Sequence, residues 1–201
     1  MTHETKVTVS AGELAMAADR EVILTKRKVI ETASALFTIL IPAINDIFKH
    51  VPVTDKKLFT SIPKISKGEN YIGFPYVIMD HPACFEKENI FAVRTMFLWG
   101  HFFSITLHIS GKYKKNFQEN ILKNLAEQNS FFISVGEAAW EHHFEENNCR
   151  QFSAVQETDL QKIREKSFMK IALKYELHDW NMMQSILPEG YKKLCSLLNI
   201  Q

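Results

Sequence analysis

The chain has 201 residues, 46% hydrophobic and 23% charged, and its 24 basic and 23 acidic side chains leave a formal net charge of +1. That length and balance describe one soluble globular domain, residues 1–201, with enough chain for a sizeable core. Near-neutrality excludes the broad basic footprint of a nucleic-acid binder, and the runs Lys26-Arg27-Lys28 and Lys112, Lys114, Lys115 read as solvated faces.

The N-terminus has no basic start followed by an apolar stretch, so no secretory signal is expected. Ser10 followed by Glu13 forms a capping box and opens a helix. From about residue 21 to 40, Val29, Ala33, Leu36, Phe37 and Leu40 recur at helical spacing. Pro42 should kink or restart that helix, since proline lacks the amide donor. The apolar span 33–44 is too short to cross a bilayer and reads as a buried core helix. Residues 53–70 read as a loop with one helical turn near Asp55 to Phe59.

Residues 71–79 form a strand candidate whose Pro75 demands an edge position or a bulge, and Asp80-His81-Pro82 should stop it. Residues 91–109 form the sharpest pattern in the chain. Two runs rich in strand-forming residues flank Gly100-His101, the signature of an antiparallel hairpin. Phe117, Ile121, Leu122 and Leu125 mark a helix of about three turns, and residues 131–135 another strand. The segment 140–144 fits a short strand or a helix start equally well. Thr158 and Gln161 suggest a second capping box opening a helix through Leu160, Ile163, Phe168, Ile171 and Tyr175. The last helices should break near Pro188-Glu189-Gly190.

Strands are grouped rather than alternating with crossovers. The expected class is therefore α+β, an antiparallel sheet of about four to six strands covered by N-terminal and C-terminal helices. Three widely spaced cysteines, Cys84, Cys149 and Cys195, form no Cys-x-x-Cys motif, which points to a reducing cytoplasm.

The residues that bear on function lie on the hairpin. Phe102, Ser104, Thr106 and His108 share one face of its second strand, opposite the wholly apolar Phe103, Ile105, Leu107 and Ile109. Arg94 is the only charge in the first strand and needs an anion, either a ligand or a glutamate such as Glu69 or Glu88. The leading expectation is a non-catalytic module that binds a small polar or acidic molecule, or a protein partner, with Arg94, Ser104, Thr106 and His108 facing it.

Two alternatives stand beside it. The first is a histidine-dependent, metal-assisted, hydrolase-like enzyme, with zinc or iron held by His142 and Glu145 beside His143. Their spacing matches no metal motif. An amphipathic strand end, with Trp140 and Phe144 inward, explains the same residues. The second is a structural protein without a pocket, a homo-oligomer whose surface includes Met182-Met183 beside Trp180. Asp80, His81 and Cys84 sit too close in sequence to form a reliable nucleophile–base set. No phosphate-loop or nucleophile-elbow motif occurs, so no catalytic residue is assigned and no membrane or nucleic-acid partner is expected.

Overall fold

Residues 91–109 double back on themselves. In the computed structural model, which describes residues 7–49, 51, 58 and 61–198, they form β3 (Ile90–Leu98) and β4 (Phe102–Ser110). The turn between them places Gly100 at φ +74°, a region open to glycine at no steric cost. Around this hairpin the chain builds a seven-stranded open antiparallel sheet, with β1 (Lys64–Tyr71), β2 (Phe74–Phe85), β5 (Phe132–Ser134), β6 (Cys149–Gln151) and β7 (Phe168–Glu176). The strand order is β1-β2-β3-β4-β7-β5-β6. The class is α+β, with helices at both ends of the chain.

The helices are α1 (Ala11–Ala18), α2 (Arg20–Phe48), α3 (Gly111–Leu125), α4 (Glu157–Glu165) and α5 (Met183–Ser196). The first capping box forms as its sequence implies: Glu13 N donates to Ser10 Oγ at 3.2 Å and Ser10 N to Glu13 Oε2 at 2.7 Å. On the sheet's apolar face, Val93, Phe97, Phe103, Ile105 and Leu107 are fully buried beneath Phe37 and Ile44 of α2 and Leu187 and Tyr191 of α5. Phe103 sits at the centre, with ring contacts to Phe37, Phe97 and Trp180 at 6.4, 5.1 and 4.9 Å.

Several boundaries differ from the sequence pattern. The loop expected over 53–70 contains edge strand β1, and the helical turn near Asp55 to Phe59 lies outside the described residues. Pro75 occupies an inner strand and is accommodated at a bulge, where the β1–β2 register shifts between Gly68 and Tyr71. Asp80-His81-Pro82 does not end β2. The strand passes through a cis His81–Pro82 bond at a second irregularity and continues to Phe85.

Neither Pro42 nor Pro188 breaks its helix. In both, a continuous buried stripe on the sheet outweighs the one lost backbone bond, from Ala33 to Phe48 in α2 and from Met183 to Cys195 in α5. By length and composition α2 could cross a membrane, yet Ala33, Phe37, Leu40, Ile44 and Phe48 are buried against the rest of the fold. Met183 is core while Met182 is exposed, so the two methionines do not share a surface.

The helix expected to run from Thr158 to Tyr175 is two elements. Helix α4 ends at Glu165, and Phe168, Ile171 and Tyr175 belong to strand β7. Its N-cap is Gln156, without a side-chain cap bond, so the Thr158 capping box does not form. Met169, Ile171 and Leu173 line the apolar face while Phe168, Lys170 and Ala172 line the other. Replacing Phe103 by Ala should cost roughly 3–5 kcal/mol, because its cavity would open at the middle of the core. Urea unfolding measures this, and a loss under about 1 kcal/mol would mean the site collapses or is not central.

Candidate functional site

The second face of the sheet is the polar one. Register pairs Arg94 with Asp80 on one side and with Thr106 on the other, and it pairs Ala92 with His108 and Met96 with Ser104. Arg94, Ser104, Thr106 and His108 therefore do share a face. Its members are largely buried rather than open to solvent. The connection between β5 and β6, residues 135–148, lies across it as an irregular strap, so the 140–144 segment is neither strand nor helix start.

The strap is held by side chains. Arg94 makes a two-pronged pair with Asp80, Nε to Oδ1 at 2.7 Å and Nη2 to Oδ2 at 2.9 Å. Its Nη1 lies 2.9 Å from His142 Nε2, which sets that nitrogen as the acceptor and the imidazole as neutral. The anion that meets Arg94 is thus Asp80, not Glu69 or Glu88. The backbone amides of His142 and His143 both donate to the Tyr71 hydroxyl, at 2.5 and 3.1 Å. Lys170, almost fully buried, donates to the carbonyls of Ala138 and Glu141. Lys166 donates to the carbonyls of Val135 and Gly136 at 2.5 and 2.7 Å. Phe144 wedges between Phe102 and Phe132, with ring separations of 4.9 and 5.0 Å.

This arrangement leaves His142 beside a cation rather than beside Glu145. The Glu145 carboxylate lies 3.8 Å from His143 Nδ1. Among the described residues no three His, Cys, Asp or Glu side chains gather closely enough to hold a metal ion. The zinc or iron site expected at His142 and Glu145 finds no third ligand among the described residues. Nor do Asp80, His81 and Cys84 converge: Asp80 is bound to Arg94, and His81 Nε2 lies 2.6 Å from Asn45 Oδ1. Burial pushes the Cys149 thiol up to about 11, so it is no ready nucleophile.

One end of this face opens into a cavity of about 580 Å³, beside the start of α3. Its rim carries Lys87, Lys114, Lys115, Arg164 and Lys166 against a single acidic side chain, Glu88. Ile90, Ala139 and Phe168 supply apolar wall, and His108 forms part of the inner wall. Of the four hairpin residues expected to face a ligand, only His108 lines this cavity. Thr106 and Ser104 are buried away from it, and the Ser104 hydroxyl has no hydrogen-bond partner among the described residues.

His108 is 2% exposed and neither ring nitrogen has a hydrogen-bond partner among the described residues. Its ring packs edge-on against Trp140 at 5.0 Å and Phe168 at 5.7 Å. Burial, reinforced by Lys170 and Arg94, lowers its pKa to about 4. The sequence singles out Lys114 and Lys115 only as part of a solvated run and does not show the rest of the basic rim. Its members come from the β2–β3 turn, α3 and the end of α4, and only Lys114-Lys115 are neighbours in the chain. Comparison with protein-family models, with curated proteins and with solved structures finds no match to this chain.

Removing one partner of the Arg94–Asp80 pair leaves a largely buried cation unmatched. Asp80→Asn should cost roughly 3–5 kcal/mol in chemical unfolding, and a near-neutral result would show that water reaches Arg94. Acid should also destabilise the fold. The unfolded chain protonates His108 and His142 near pH 6.5, whereas in the folded protein both pKa values lie lower. Stability is present above pH 6.5 and is lost as pH falls toward 4, by about 3 kcal/mol for His108 alone. His108→Leu should flatten that decline in urea titrations at successive pH values; identical slopes would place a charged imidazole in the fold.

Proposed function

We propose that this protein is a cytoplasmic, non-catalytic module that binds a small acidic molecule in the cavity at the α3 end of the polar sheet face. One observation carries the reading. A buried imidazole with no hydrogen-bond partner among the described residues lies in the wall of a roomy cavity whose rim holds Glu88 and five cationic side chains, of which Lys87, Lys114 and Lys115 have no carboxylate partner among the described residues while Arg164 and Lys166 do. Buried polar groups in folded proteins are nearly always satisfied, so an imidazole lining a cavity is placed to hydrogen-bond whatever enters it. The field of the rim selects its sign.

The chemistry nearby favours binding over catalysis. Arg94, Lys114, Lys166 and Lys170 are tied to fixed acceptors, and Cys149 is a buried thiol. Lys87 and Lys115 are exposed at the rim, which suits them to capture an anion.

A thermal-shift screen of acidic and neutral metabolites tests the reading, because a ligand that prefers the folded state raises its melting temperature by mass action. Acidic compounds should raise it. The effect should vanish in the Lys87→Glu/Lys115→Glu double variant, whose exposed substitutions should change intrinsic stability by no more than about 0.5 kcal/mol each. Shifts confined to neutral compounds, or equal shifts in the double variant, would rule this site out.

A further inference from the structure

We propose that the molecule held in this cavity is a phosphomonoester, with its phosphate between Lys87, Lys115 and the first turn of α3 and its body along Phe168 toward His108. The inference rests on the cavity being the ligand site, and it names the class of ligand. Three observations carry it.

The first is an electrostatic mismatch at α3. The N-terminal end of a helix carries partial positive charge, and acidic residues or anions there are favourable. The first turn of this 15-residue helix has no acidic residue. Lys114 lies in that turn and Lys115 follows it directly, so two cationic side chains stand near the positive pole. The Ser110 hydroxyl does not cap the helix, because it accepts from Ile90 N and donates to the Glu88 carbonyl, and the Asn89 Oδ1 that accepts from Lys112 N at 2.9 Å is neutral and brings no counter-charge. An anion in the cavity would relieve the mismatch, as helix N-termini commonly do for phosphate.

The second is the split between fixed and free cations. Lys114 donates to the carbonyls of Ile163, Arg164 and Lys166, so its charge is locked in place beside the cavity. Lys166 is locked by the strap and pairs with Glu137 at 3.3 Å, and Arg164 pairs with Glu119 and Glu157 at 3.6 and 3.3 Å, so the uncompensated field comes from Lys87, Lys114 and Lys115. Lys87 and Lys115 make no hydrogen bond or ion pair with the described residues and can close on a ligand. Fixed charges supply a field, and its attraction scales with ligand charge, so a phosphate dianion gains about twice what a carboxylate gains.

The third is His108. A neutral imidazole offers one donor and one acceptor, and here both are unmet among the described residues, in a cavity whose apolar wall is Ile90, Ala139 and Phe168 and whose lining also includes Ser110, Gln118 and Ser167. That wall suits a flat or apolar body with a polar edge rather than a bare inorganic ion. Trp140 packs on the His108 ring and is half exposed, so a body arriving there must alter its surroundings.

Titration of the full chain with phenyl phosphate, benzoate and inorganic phosphate, followed by calorimetry and tryptophan fluorescence, tests the proposal. Phenyl phosphate should bind at least about tenfold tighter than either of the other two, since only it combines the dianion with an apolar body. The Lys87→Gln/Lys115→Gln variant should lose about tenfold in affinity or more. The fluorescence change should disappear in Trp140→Phe while binding by calorimetry persists. Benzoate binding as well as or better than phenyl phosphate would overturn the phosphate assignment and leave an acidic-ligand cavity standing. Binding unaffected by the lysine variant would place the phosphate elsewhere. Absence of binding by all three probes overturns the assignment, and if the wider screen also yields no acidic ligand, the cavity reading falls with it.

Discussion

The contact on which the polar half of this molecule depends is the Asp80–Arg94–His142 chain. A charged strand residue cannot stay buried without a counter-charge and full use of its donors. Asp80, directly opposite on β2, supplies the charge through two parallel bonds, and His142 takes a third donor from above. The chain therefore ties two strands and the strap together at one point. Burial holds the His142 pKa well below its usual value, and the guanidinium facing its free nitrogen adds to that, so the ring stays neutral. Metal binding would compete for that nitrogen.

Buried lysines complete what the arginine begins. An irregular segment lying on a sheet has backbone groups with no ladder to join, and each must find a partner. Lys166 and Lys170 answer four strap carbonyls, and Lys114 answers three at the end of α4. Lysine suits this use because one ammonium carries three donors on a long flexible stem. Burial lowers Lys170 to about 8, yet it remains mostly charged near neutrality, where its donors are needed. Cationic lining is thus partly a by-product of holding irregular backbone, and it leaves a positive field wherever the surface opens.

How much of this the sequence carried depends on how local each feature is. The 91–109 hairpin, its two faces and the Ser10 capping box are settled by neighbours, and they read correctly. Strand β7 did not, because Phe168, Ile171 and Tyr175 fall at helical intervals while the true period of two runs through Lys170 and Lys174. Those lysines look like solvated positions until one sees that Lys170 caps carbonyls under the strap. Pro42 and Pro188 misled for a related reason: their local cost is real, but long-range burial decides. Arg94 was correctly seen to need an anion. That the anion is Asp80 follows from strand register through a bulge, which no local pattern encodes.

The candidate site shows the same division more sharply. His108 was legible as a polar residue on the uncovered side of a hairpin. The strap that buries it begins some 27 residues later in the chain, and the rim that charges its cavity comes from three separate elements. A neutral histidine with two unmet ring nitrogens is costly, and the fold could remove the cost with a leucine, since apolar groups of similar size are tolerated in such positions. Helix α3 repeats the argument with charge in place of hydrogen bonding, because lysines stand where an acidic residue would be favourable. Two unrelated costs, one of unmet polarity and one of unbalanced charge, meet at the same opening. A ligand bearing an anion at one end and a hydrogen-bonding edge at the other offsets both at once, whereas water alone offsets neither charge nor shape.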